Sequence, residues 1–261
     1  MLYIGIDLGT SAVKLLLMDQ DGKIHKIVSK EYPLYFPKPG WSEQSPEDWW
    51  EQTRGGIKEL TAECDKSQIA GIGFGGQMHG LVILDKNDEV IRPAILWNDG
   101  RTVKETNYLN EVIGKERLSE CTANIAFAGF TAPKILWLKE NEPDNFAKID
   151  KIMLPKDYLA YRLSGCFCTD YSDASGTLLL NVKNRCWSKE MMKICDVREE
   201  QLPALFESYE VVGGIKTELA EEFGFTINVK IVAGAGDNAA AAVGTGTVGE
   251  GGCNISLGTS G

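Results

Sequence analysis

The sequence predicts an α/β domain built around a mixed β-sheet, and two observations carry that prediction. Residues 3–8, 12–18 and 24–31 are three runs rich in Ile, Leu and Val, the last two separated by Asp21-Gly22, so the chain opens as an antiparallel meander. From residue 45 onward, helical and strand patterns mix along the chain, with no fixed-period repeat and no low-complexity tract.

The elements follow in order. The first bend of the meander falls at Gly9-Thr10-Ser11, and a loop rich in Pro and aromatics, "YPLYFPKPGWSEQ", closes it. Ser45-Pro46-Glu47-Asp48 supplies an N-cap, a Pro at the first helical position and acids in the first turn, which predicts a helix to about Glu63. "QIAGIGFGG" and "GLVILDKNDEVI" read as strands, the second bent at Asn87-Asp88, and "RPAILWNDGR" as a loop before a helix from about Thr102. Residues 115–200 read as mainly helical, through "APKILWLKENE", "PKDYLAYRLSG" and "SKEMMKICD". A helix near 216–223, a strand "NVKIVAGAG", a helix from Asp237 and a last strand "CNISLG" complete the reading.

Composition narrows the function. The 261 residues carry 27 Lys plus Arg against 37 Asp plus Glu, a net charge of −10, which argues against wrapping a nucleic acid or an anionic membrane. An anionic ligand would have to be met by local amides, a lysine or a metal ion. No apolar run reaches the length of a membrane span, and the N-terminus lacks the basic flank of a signal peptide. Seven scattered Cys and only His25 and His79 assemble no zinc pattern, so reduced thiols in a cytoplasmic protein are the expectation.

Three segments, 71–76, 234–239 and 244–249, match Gly-x-Gly-x-x-Gly/Ala, a cheap match in a chain with 28 Gly. The best placed, "IVAGAGDNAA", puts Asp237 where a pyrophosphate would rest on a helix N-terminus, and a carboxylate there repels one. Asp237 has another use. Beside Gly234 and Gly236, a carboxylate can accept a proton from a hydroxyl that attacks phosphorus, help typically worth about 10²–10⁴-fold. "YIGIDLGTSAVKLLLMD" supplies the complement: Asp7 to hold Mg²⁺ through its waters, with the amides of Gly9, Thr10 and Ser11 and the Lys14 ammonium for phosphate oxygens. An acid inside an apolar run is costly unless used. Gln77, Met78 and His79 lie between glycines, between two strands, and are candidate small-molecule contacts, a neutral imidazole bonding a hydroxyl. In "ILWNDGR" a helix-capping loop accounts for Asn98 or Asp99, itself a candidate contact, but not for Trp97, which stacking on the C–H face of a sugar would use. "TDYSDASGT" reads equally as a site loop or a cluster of Asx and Ser turns.

"IGIDLGTSAVK", "WSEQSPEDWW", "GQMHG", "RPAILWNDGR", "GFTAPKILW", "LPKDYL", "SDASGT", "GDNAAAAVG" and "ISLGTSG", in order over nearly the whole chain, resemble the FGGY carbohydrate kinases. Asp-x-Gly-Thr alone is shared with actin and hexokinase-like proteins; "GQMHG" and "WNDGR" together are far more specific. The resemblance implies a ribonuclease H-like fold of the actin/hexokinase ATPase type and transfer of the γ-phosphate of ATP, with Mg²⁺, to O5 of D-xylulose. It implies Asp237 as the base with Asn238 beside it, Asp7 as the metal-positioning acid, and Thr10, Ser11 and Lys14 as a first phosphate loop. Met78 and His79 become sugar contacts, and Gly258, Thr259 and Ser260 a second phosphate loop. Residues 1–248 are then the N-terminal sugar-binding domain, and 249–261 the first strand of a C-terminal nucleotide-binding domain. The piece is accordingly expected not to turn over alone. Expected partners are D-xylulose and ATP, with a homodimer a possible assembly and neither nucleic acid nor membrane among them. A kinase for another ketose or a pentitol, a non-catalytic sugar-binding module and an actin-like assembly protein are the competing readings.

Overall fold

The computed structural model describes residues 1–253 and 255. Strands β1 (Leu2–Leu8), β2 (Ala12–Asp19) and β3 (Ile24–Glu31) form the opening meander, all antiparallel. The strand Ile69–Gly76 runs parallel on the far side of β1, then Lys230–Val232 parallel to it, and Val211–Gly214 antiparallel at the edge. The sheet is therefore mixed, as the sequence predicts. Helix α1 (Pro46–Leu60) covers β2 and β3, while helices Pro155–Ser164 and Thr217–Phe223 add to the same apolar cluster as Ile4, Ile6, Leu8, Val13 and Leu15. A second cluster, built on Leu81, Ile135, Leu138, Ile152 and Met191, gathers the helices of the middle of the chain.

One break in the sheet sets up the site. "NVKIVAGAG" is not one strand: it runs as Lys230–Val232, swings at Gly234, and resumes as Ala235–Gly236 beside Ile69–Gly76. Gly234 has φ +78°, and a Cβ there would lie 2.5 Å from the Phe74 carbonyl oxygen, so only glycine makes this step. The helix Asp237–Gly244 leaves from that stub.

Other expectations shift. Residues 115–200 are not continuously helical: short strands Lys151–Met153, Cys168–Asp170, Leu180–Asn181 and Cys186–Trp187 interrupt them, too short to show alternation. "GLVILDKNDEVI" keeps only Val82–Leu84 as a strand, with Asp88 at φ +64° in the turn. The loop 92–101 contributes Ala94–Ile95, paired with Glu43–Gln44. The predicted strand "CNISLG" lies outside the described residues except for Cys253 and Ile255.

Candidate active site

Register brings the two acids together. Asp7 on β1 faces Gly75, Ala235 faces Gly75 from the other side, and Gly236 pairs with Gly76. Asp7 and the residue before the Asp237 helix thus emerge at the carboxyl ends of parallel strands, two rungs apart, roughly 10 Å in strand spacing. Lys14 is the cross-strand partner of Asp7. All three line one open cleft of about 940 Å³, with Asn238, Tyr209 and Gly75. Open α/β sheets bind ligands beyond the carboxyl ends of their strands.

The alternation of β1 corrects one premise. Ile4, Ile6 and Leu8 are buried, but Asp7 points away from that core and opens on the cleft. Its carboxyl is still raised above the ordinary value by crowding from the cleft walls, with Lys14 pulling the other way. Burial likewise raises Asp237, the Asn238 N–H lowers it, and the Asp7 charge raises it further. One Asp237 oxygen accepts that N–H at 2.7 Å, and no other hydrogen bond reaches the carboxylate among the described residues. An acceptor is left for a hydroxyl. A pair of acids this close favours a bound cation, and one or two carboxylates plus water suit Mg²⁺. No cluster of three metal-ligating side chains occurs among the described residues.

Met78 and His79 follow the central strand into the same region, Met78 packing on Gly236. His79 has φ +67°, a left-handed backbone unusual for a non-glycine residue. Three contacts hold it: its ring stacks on Phe130 at 4.6 Å, Nδ1 lies 2.9 Å from the Gly176 carbonyl, and its own carbonyl accepts from Thr131 Oγ1 and Lys134 Nζ. Burial lowers the imidazole to about 4, the Gly176 carbonyl raising it and Lys134 lowering it. The ring is therefore neutral, donates through Nδ1 to Gly176, and presents Nε2 as an acceptor. Lys134 is fully buried and burial lowers it to about 7. Phe130, Gly176 and Lys134 are partners that the sequence reading does not single out; "GFTAPK" and "SGT" contain them, but nothing in either motif points to a histidine.

Three predicted sugar contacts do different work. Asp99 accepts Arg101 N, Nε and Nη2 and Ser42 N at 2.6–2.9 Å, which fills both oxygens and leaves nothing for a sugar. Gln77 is 3% exposed, and its amide bonds Gln44 at 3.1 Å and Thr10 at 3.4 Å. The Trp97 indole N–H donates to Thr10 Oγ1 at 3.0 Å, and Gln44 Nε2 donates to the Thr10 carbonyl at 2.6 Å. The Tyr32 hydroxyl donates to the Gly9 carbonyl. These residues tie down the Gly9-Thr10-Ser11 bend; the Gly9 N–H, expected to meet phosphate, instead donates to the Ala12 carbonyl at 3.1 Å, which leaves the Thr10 and Ser11 amides and the Ser11 side chain to be presented from a fixed loop. The hydrogen bond from Trp97 to Thr10 uses the edge of the indole ring and not the faces that stacking on a sugar would use. Gly258, Thr259 and Ser260 lie outside the described residues.

A mixed sheet with acids converging at its carboxyl ends defines the class: a domain of the actin/hexokinase ATPase fold. The model of the FGGY family of carbohydrate kinases, N-terminal domain, matches residues 2–244, and the chain belongs to that family. It is 45% identical to the xylulose kinase of Escherichia coli (strain K12) over 260 residues, 100% of this chain and 53% of that protein. The crystal structure of a xyloylose kinase from Brucella ovis superposes with a TM-score of 0.93 at 45% identity, covering 96% of this chain and 52% of that one. A gluconate kinase from Lactobacillus acidophilus gives 0.90 at 32% identity, covering 94% of this chain and 50% of that one. The chain spans about half the length of the relatives it matches. Among the described residues no helix is long and apolar enough to cross a membrane, and all seven cysteines are free.

Proposed function

We propose that this chain is the sugar-binding half of an ATP-dependent kinase that phosphorylates D-xylulose at O5 to D-xylulose 5-phosphate. The observation that carries the reading is the placement of Asp7, Lys14 and Asp237 around one cleft. Asp237 accepts the proton of the attacking hydroxyl, its raised carboxyl being better matched to that task than one at the ordinary value. Neutral His79 accepts a hydrogen bond from another sugar hydroxyl through Nε2, and Met78 packs along the sugar. Lys14 and the amides of Thr10 and Ser11 face phosphate oxygens, while the Gly9 N–H closes the bend on the Ala12 carbonyl at 3.1 Å. Asp7 would hold Mg²⁺ through water, and that ion supplies charge neutralisation between the phosphates when bound. Val243, on the cleft wall, and Val248 and Ile255 are apolar and exposed, surface that a nucleotide-binding half would cover. Seven unpaired thiols support a reducing, cytoplasmic location.

Asp237→Ala in the full-length protein tests the base. Sugar binding by calorimetry should change less than about threefold while turnover falls by at least about 10²-fold; turnover that survives removes Asp237 from the reaction. The similarity to a gluconate kinase structure keeps the sugar itself open to test. A panel of pentuloses, hexuloses, pentitols and gluconate, ranked by kcat/KM, should put D-xylulose first. ATP and D-xylulose given to this chain by itself should release no ADP at a kinase-like rate, because no second half closes to exclude water.

A further inference from the structure

Two motifs left unused by the site, 154–159 and 169–177, meet directly behind Asp237. Lys156 enters from the first turn of helix Pro155–Ser164 and is wholly buried. Its Nζ lies 2.7 Å from Asp157, 2.9 Å from Asp170 and 3.7 Å from Asp173, all of them at most 1% exposed in their side chains. Three carboxyls around one ammonium cannot all be ionised at that depth. Asp173 resolves the excess: burial pushes its carboxyl far up, and Asp157, Asp170 and Asp237 add to the push against Lys156. Asp170 goes the other way. Burial alone would raise it, but Lys156 and its hydroxyl donors outweigh burial and hold it ionised.

Ionised Asp170 grips two serines with its outer oxygen. Oδ2 accepts Ser172 N at 2.8 Å, Ser172 Oγ at 2.5 Å and Ser208 Oγ at 2.8 Å. A serine hydroxyl normally rotates, but here the Ser172 proton is committed to a carboxylate, which fixes its lone pairs. Into one of them the backbone N–H of Gly236 donates, at 3.1 Å. Gly236 is the last residue before Asp237, on a strand only two residues long. Pairing with Gly76 and packing by Met78 hold the stub itself, and Ser172 adds a side-chain hydrogen bond to its last amide, at the step from strand to helix.

We infer that Ser172, locked by the buried Lys156–Asp170 pair, is a positioning residue for Asp237: through the Gly236 amide it fixes the turn from which that carboxylate reaches the substrate hydroxyl. The inference rests on reading Asp237 as the base. Displacements near 1 Å at a reacting group can cost about 10²-fold, so the effect belongs in kcat and not in binding.

The experiment uses the full-length protein with Ser172→Ala, Ser172→Thr and Asp237→Asn measured side by side, and a melting curve for each. Ser172→Ala should melt as one cooperative unit and lose about tenfold to a hundredfold in kcat, with KM for sugar and for ATP within about twofold. Ser172→Thr, which keeps the hydroxyl, should recover kcat to within about threefold. If the alanine variant does not fold, Ser172→Cys, of similar volume but a poor acceptor, is read in its place with the same expected loss. An alanine or cysteine variant with kcat within twofold, a loss confined to KM, or a threonine variant no better than alanine overturns the inference. Asp237→Asn separates the two readings: turnover there removes the base itself, whereas a dead Asp237→Asn beside an undisturbed Ser172→Ala removes only the positioning role.

Discussion

Gly176→Ala offers a sharp test of the sugar pocket, because the substitution adds one carbon where His79 already stands. A Cβ at position 176 would lie 2.4 Å from His79 Cε1, 2.6 Å from Nδ1 and 3.3 Å from the Met78 methyl. The Met78 methyl is the end of a flexible side chain and can move aside, but the two ring atoms cannot. The imidazole is wedged between Phe130 and the Gly176 carbonyl, on a backbone held left-handed by Thr131 and Lys134. Relief requires the ring to swing out. It then gives up the Nδ1 hydrogen bond, worth about 0.5–1.5 kcal/mol, and much of a ring stack worth a similar amount. A displaced ring also stops presenting Nε2 to the sugar.

Loss of the Nδ1 bond and of the stack falls on the stability of the fold; the lost Nε2 hydrogen bond puts the cost to sugar binding at about 0.5–1.5 kcal/mol, or roughly twofold to tenfold in affinity. The assay is ADP release by the full-length variant, with D-xylulose and ATP titrated separately. KM for sugar should rise by that factor, KM for ATP should stay within about twofold, and kcat should fall less than KM rises. Unchanged sugar KM in a folded Gly176→Ala protein would mean that His79 does not contact the substrate, and the argument from its strained backbone would fall with it.

Two further outcomes follow from the buried charges. His79 is held near pKa 4 against about 6.5 unfolded, so the unfolded chain takes up a proton first as pH falls. Its contribution to stability is complete above pH 6.5 and drains away towards pH 4, by up to about 3 kcal/mol; urea unfolding at several pH values should show that slope, and His79→Gln should flatten it. The same neutrality predicts a sugar KM that is level between pH 6 and 8. Lys156→Met removes the cation from three buried carboxyls and should cost about 3–5 kcal/mol, a drop of roughly 6–20 °C in Tm. Carboxyls with native values raised above the unfolded ones gain protons on folding, so the deficit should shrink as pH is lowered; a deficit independent of pH would place the damage in packing instead.

What the sequence exposes and what it hides divide along a physical line. The opening meander is legible because Ile4, Ile6 and Leu8 alternate against Asp7 over a full strand, and the Asp21-Gly22 turn fixes its partner. Asp7 and Asp237 stand out for the same reason: each is a charge at a place where local pattern calls for none. Gln77 and Trp97 look equally out of place, yet their explanations lie 67 and 87 residues away, at Thr10, and Asp99, gripped by the nearby Arg101, also holds Ser42, 57 residues back. Flanking glycines let a ligand approach or let a neighbouring loop approach, and the local sequence is the same in both cases. Lys156 is hidden more deeply, since "PKDYL" is an unremarkable first helical turn until Asp170 and Asp173 arrive on it from another element. Polar residues that answer to a local rule can be read from their neighbours in the chain. Those that answer to a distant partner cannot, and here they are the ones that hold the proposed phosphate loop and base in place, while Asp7 and Lys14 make no side-chain hydrogen bond among the described residues and Asp237 keeps an acceptor open.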